Sequence, residues 1–187
     1  MDIQHVNAKF FFEGDFDLSN THLVEVFHDW VREQVFDGVL IDVADYRHVP
    51  DGPALMIVGH EADYVIDCTD GRGGLRYNRK AALDADSAGR FRQALVAASC
   101  AARLLQESLG EGAVMFSRTE LELSVNDRAL APNTPETFAQ CKPDIESAVT
   151  AILGHGDFSL KHRDDPRRIF RVSVTTGKPF DPVTISR

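Results

Sequence analysis

The chain opens on an alternation. Val6, Ala8, Phe10 and Phe12 fall in one phase and His5, Asn7 and Lys9 in the other, the period of a strand with one face buried. Residues 3–13 are therefore read as the first strand. After Ser19-Asn20-Thr21, which can supply an N-cap, Leu23, Phe27, Trp30 and Val31 recur at helical spacing, with Val26 and Val35 widening the stripe and Glu25, Asp29 and Arg32 opposite. This predicts an amphipathic helix over 20–35 that lies on a sheet. Two unbroken apolar runs follow, "VLIDVA" at 39–44 and "ALMIVG" at 54–59. Both are too short for helices and rich in branched residues, so they are expected as central strands buried on both faces. "DYVID" (63–67) and "GLRYNR" (74–79) alternate, and are expected nearer an edge.

The longest helix is predicted over 86–109, stopped by Gly110 in the position that favours a left-handed residue. Its seam, Phe91, Leu95, Ala98, Ala102, Leu105 and Leu109, has Ala94, Ala97 and Ala101 alongside, so another element can approach closely. That element is either the sheet of the same subunit or a second copy of the helix across a homodimer axis. "ELELSV" (120–125) meets Asn126-Asp127 before "ALAP", predicting a hairpin through that turn. Thr134, Pro135 and Glu136 then open a helix that Pro143 is expected to break or kink before it resumes to Leu153 and ends at Gly154. "FSLKH" and "RIFRVSV" close the chain as a hairpin through Asp164-Asp165-Pro166. With no repeat or linker, the reading is one α+β domain over 1–187, a mixed, mostly antiparallel sheet packed by about three helices.

Composition changes this picture little. Hydrophobic residues at 43% and charged residues at 26% rule out a disordered chain. Cys68, Cys100 and Cys141 are odd in number and widely spaced, without a CxxC pair. This argues against a disulfide framework and a structural zinc site, and suits a reducing, cytoplasmic setting. No basic-then-apolar leader and no membrane-length apolar run is present, so neither secretion nor membrane insertion is expected.

Charge matters more. The net charge is −9, and residues 1–80 hold 15 acids against 7 Lys and Arg, a balance that repels phosphate backbones and makes nucleic acid an unlikely partner. Residues 161–187 reverse it, with 7 basic residues against 3 acids. Their alternation with Phe170, Val172 and Val174 reads as a strand with a basic outer face.

Residues capable of chemistry crowd into 42–80. The link between 39–44 and 54–59 is too short for a parallel crossover, so those strands are expected to be antiparallel and to begin a meander. One end of the meander then gathers Asp45, His48, Asp51, Asp70 and Arg72; the other gathers His60, Glu61, Asp63, Asn78, Arg79 and Lys80. The second end is the candidate site. His60 can transfer protons near neutral pH, Glu61 or Asp63 can orient it, and Tyr77, Asn78, Arg79 and Lys80 can hold an anion, with Gly59 permitting close approach. A charged turn needing glycine explains the same residues without function. Asp42, a carboxylate in an apolar run, is expected to need a partner, for which Arg76 is available. Asp45 and His48 form too weak a pair to predict a metal.

No GxxxxGK[ST], HExxH or GxSxG motif occurs, "GRGG" lacks a strand-to-helix setting, and nothing beside Cys68 would activate it. No cofactor is implied. The leading expectation is a protein that binds a small anionic ligand or a protein partner as a homodimer. The competing one is an acid/base or metal-assisted hydrolase built on His60 with Glu61 or Asp63 and an Arg79/Lys80 anion anchor.

Overall fold

A computed structural model describes every residue except 50, 111, 186 and 187. The strands are β1 (Val6–Phe12), β2 (Leu40–Asp45), β3 (Pro53–Gly59), β4 (Ala62–Asp67), β5 (Gly74–Arg79), β6 (Phe116–Val125), β7 (Phe158–His162) and β8 (Phe170–Thr176). The helices are α1 (Thr21–Glu33), α2 (Ser87–Leu109) and α3 (Pro135–Leu153). All eight strands form one antiparallel sheet in the order β2-β3-β4-β5-β1-β6-β8-β7. The α+β class and the meander from β2 to β5 are as expected.

One phase of the strands meets the helices. Phe10, Leu75, Tyr77, Ile66, Leu55 and Ile57 face Phe91, Leu95, Ala98 and Leu105 of α2, or Leu23, Phe27 and Trp30 of α1, in a single buried core. The small residues of α2 let it lie directly on β1 and β5, so its seam is consumed inside the subunit and offers no helix to a second copy. α3 packs beside α2, and its Phe138 stacks on His162 of β7.

Four expectations need correction. β2 is an outer edge rather than a central strand, and Val39 and Ile41 are exposed there; an unbroken apolar run does not reveal that one flank lacks a neighbour. β4 and β5 are interior, paired on both flanks between β3 and β1, and their polar phase is half-buried at Asp63, Arg76 and Asn78 and buried at Asp67; alternation alone does not show how many neighbours a strand has. "ALAP" is a turn capped by the Asp127 carboxylate, which accepts from the Ala129 and Leu130 amides, while β6 pairs with β1 and β8. Pro143 lies inside α3 without ending it, and the flanking Cys141 and Ile145 are both buried in the core.

Candidate functional site

The end of the meander favoured by the sequence divides between the two faces of the sheet. His60 is exposed in the β3–β4 turn, and its ring makes no hydrogen bond or ion pair among the described residues. Gly59 serves backbone and not ligand, since a Cβ there would sit 2.3 Å from the Ala62 carbonyl oxygen. Asp63 accepts from the Gly59 amide at 3.1 Å and pairs with Lys80 at 2.7 Å. Neither carboxylate is turned to the histidine. Glu61 pairs instead with Arg79 at 3.5 Å, and Arg79 also donates to the carbonyls of Ala81 and Ala82. The Arg79 and Lys80 charges are therefore already matched.

Alternation separates Tyr77 from Asn78. Tyr77 faces the helices and accepts a hydrogen bond from Gln93 of α2 at 3.0 Å, whereas Asn78 faces away from them. Glu61, Tyr77 and Arg79 do share a groove of about 690 Å³ between the segment that follows α1, α2 and the strands β4 and β5, with Tyr64 in its wall; His60 is not in that wall. Burial holds the Tyr64 hydroxyl well above its ordinary pKa, so it is a neutral wall and not a base.

The other phase of the strands builds a different site. On the sheet face away from the helices, Arg76, Lys9 and Glu122 stand side by side on β5, β1 and β6, with Asn78, Asn7, Ser124 and Arg171 in the adjoining row. Lys9 is 3% exposed and Asp67 1%. The Lys9 side chain crosses β5 at Gly74, where a Cβ would sit 2.8 Å from its Cε, and its ammonium donates to Asp67 at 2.7 Å and to the Arg72 carbonyl at 2.6 Å. Arg76 binds the other Asp67 oxygen at 3.0 Å and Thr69 donates to it at 2.8 Å. Burial pushes the Asp67 carboxyl up, but the charges of Arg76 and Lys9 outweigh it and hold the group below its usual range. Arg76 is thus not the partner of Asp42, which is exposed on the β2 edge and accepts from the neighbouring Val43 amide.

Above this floor is a cavity of about 240 Å³. Its rim comes from the other end of the meander and from the β7–β8 hairpin. The single 3-10 turn Thr69–Gly71 places Asp70 in the left-handed region, where its carboxylate takes Arg171 at 2.7 Å and Arg168 at 2.9 Å. Asp51 secures the turn by accepting from the Asp70 amide at 2.7 Å. Arg72 lies over the Phe11 ring at 3.8 Å and pairs with Glu120. Asp45 stays out of this set, chelated by Arg47 hydrogen bonds that hold its pKa down to about 2.

Eight cations line the cavity: Lys9, Arg72 and Arg76 from one side, Arg128 from the turn after β6, and Arg163, Arg167, Arg168 and Arg171 from the final hairpin. The carboxylates that line it or pair with those cations are six, namely Asp51, Asp67, Asp70, Asp165, Glu120 and Glu122. Four buried polar atoms are unmet on this face: the Nε–H groups of Arg76 and Arg171 lack an acceptor, and the Oδ1 atoms of Asn7 and Asn78 in the adjoining row lack a donor. A buried donor left unpaired costs about 1–3 kcal/mol. Glu122 is a second unusual group. Burial pushes its carboxyl up, and the nearby Arg171 and Lys9 charges do not cancel that effect.

The sequence reading missed Lys9, Asp67, Arg76, Glu122 and Arg171 as a site, since it took each strand's polar phase for a solvent face. Among the described residues no three His, Cys, Asp or Glu side chains converge to hold a metal ion. Burial raises the Cys68 thiol, which keeps it protonated. No helix is long and apolar enough to cross a membrane among the described residues. No protein-family model matches the chain, and no curated protein is significantly similar to it.

Proposed function

We propose that the protein binds a small anionic ligand in the arginine-lined cavity on the open face of its sheet. The observation that carries this reading is the pair of buried, acceptorless Arg76 and Arg171 Nε–H groups in a cavity where cations outnumber carboxylates. Guanidinium forks suit planar or tetrahedral oxyanions better than lysine does. On a chain of net charge −9, such a concentration of positive charge focuses an anion to one place.

The hydrolase reading has less behind it, because His60 stands apart from Glu61, Asp63, Arg79 and Lys80, all of which are paired with one another or with backbone. The test is a thermal-shift panel of phosphate, sulfate, citrate and acetate. A ligand at 100 times its Kd stabilises a fold by about 2.7 kcal/mol, a shift of several degrees. That shift is expected to persist in Arg79→Ala/Lys80→Ala and to vanish in Arg171→Gln. Loss in the first variant and retention in the second would return the site to the β3–β4 end.

Self-association draws on a separate observation. Val39 and Ile41 are 61% and 57% exposed beside the unpaired backbone of the β2 edge, and such an edge pairs readily with another strand. A homodimer through β2 is expected to dissociate on Ile41→Lys, read as mass by light scattering; a monomeric native protein at micromolar concentration removes this reading.

A further inference from the structure

Resting on the anion reading above, we infer that the occupant of the open-face cavity is a dianionic phosphoryl group, free or carried by a small monoester. Charge balance is the first reason. Eight cations stand against six carboxylates, so two positive charges are left over with every acid ionised. A monocarboxylate would neutralise half of that excess, and a dianion all of it.

Donor geometry is the second reason. The unmet Nε–H of Arg76 rises from β5 and that of Arg171 from β8, on opposite sides of the Lys9 and Glu122 strands. A third donor set stands at the rim, because the Arg163 guanidinium forms no hydrogen bond or ion pair among the described residues. Donors supplied by two separate strands and by the rim suit a tetrahedral group with several acceptor oxygens better than a flat carboxylate with two. Enclosure is the third. The cavity has Phe11 and Ile169 in its wall and turns from Thr69–Gly71 and the β7–β8 hairpin at its rim. That setting favours a single phosphoryl headgroup over the continuous backbone of a nucleic acid, which needs an extended basic track.

The test is a set of titrations of the intact protein near pH 7, followed by calorimetry and by ³¹P line broadening. The probes are inorganic phosphate, phenyl phosphate, dimethyl phosphate, acetate, succinate and an oligothymidylate. Inorganic or phenyl phosphate is expected to bind at least about tenfold tighter than monoanionic dimethyl phosphate, as one more charge-assisted hydrogen bond implies. Whichever of the first two binds tighter identifies the group as free or esterified. Arg163→Gln, which breaks no ion pair in the ligand-free protein, is expected to weaken that binding about tenfold while leaving the melting temperature unchanged. Acetate or succinate binding as well as phosphate overturns the phosphoryl assignment and leaves the anion reading standing. Oligothymidylate binding more tightly than both dianions overturns it in favour of a nucleic-acid surface. If none of the probes binds, both readings fall together.

Discussion

Phe10 and Lys9 are neighbours in β1 and equally buried, yet they belong to opposite solutions of the same problem. Phe10 faces α2 and is held by close packing in a core of Phe, Leu and Ala side chains. Lys9 faces the other way and is held by one carboxylate and one carbonyl, with Arg76 on the far oxygen of that carboxylate. The helix side is filled mainly by apolar groups of matched volume and offers polar partners at only a few points, such as Gln93 to Tyr77 and Ser108 to Trp30. The open side keeps charge out of water, which costs stability unless the partners are complete. The Lys9–Asp67–Arg76 cluster is nearly complete; the cavity above it, with two unmet guanidinium donors, is not. A face that buries charge and leaves part of it unanswered is better explained by a ligand than by folding alone.

The largest test removes the two neighbours in turn. Phe10→Ala leaves a cavity and is expected to cost about 3–5 kcal/mol in chemical denaturation. Lys9→Met removes the donor from one oxygen of the buried Asp67 and from the Arg72 carbonyl, while Arg76 and Thr69 keep the other oxygen, and is expected to cost about 3 kcal/mol. The two losses differ in how they are repaired. Replacing Lys9, Asp67 and Arg76 together by Met, Leu and Met is expected to recover most of the stability, because well-packed apolar groups replace a buried ion cluster at little or no loss. That triple variant is also expected to lose anion binding. If it remains as unstable as Lys9→Met, the charges are needed to form the sheet, and the contrast between a packed face and a ligand face fails.

Most of the fold was legible because each apolar phase was legible. The α1 stripe, the α2 seam and the β2–β5 meander follow from periodicity and link length, which are local quantities. Strand order beyond the meander was not. β1 sits between β5 and β6, and Lys9 meets Asp67 across 58 positions of sequence, a pairing no local pattern records. The open-face site suffered most from this. Asn7, Lys9, Arg76, Glu122 and Arg171 were each visible in the polar phase of a strand, but only the register of β5, β1, β6 and β8 shows that those phases adjoin. The candidate end at His60 was overvalued for the opposite reason: its residues are close in sequence, and alternation sends Tyr77 and Asn78 to opposite faces.

Glu122 offers the smallest effect and the finest discrimination between the faces. It lines the cavity among Arg171, Lys9 and Arg76, with Asp67 behind them, and burial raises its carboxyl above the ordinary 4.5 despite those cations. The sign follows from the direction. A carboxyl raised on folding favours the protonated form, so its contribution to stability is full below the unfolded pKa and is lost as pH rises through the folded one. Glu122→Gln holds the neutral form at every pH. Its melting temperature is therefore expected to match the native protein in acid, near pH 4, and to exceed it by a few degrees at pH 8, a difference that scanning calorimetry across pH resolves. An ionised Glu122 also competes with a bound anion for Arg171. The variant is accordingly expected to bind phosphate more tightly than the native protein at pH 8 and equally near pH 4. A Gln variant that is destabilised at pH 8 would mean that Glu122 is ionised there as a partner of Arg171, making the open face a closed salt-bridge network with no place for a ligand.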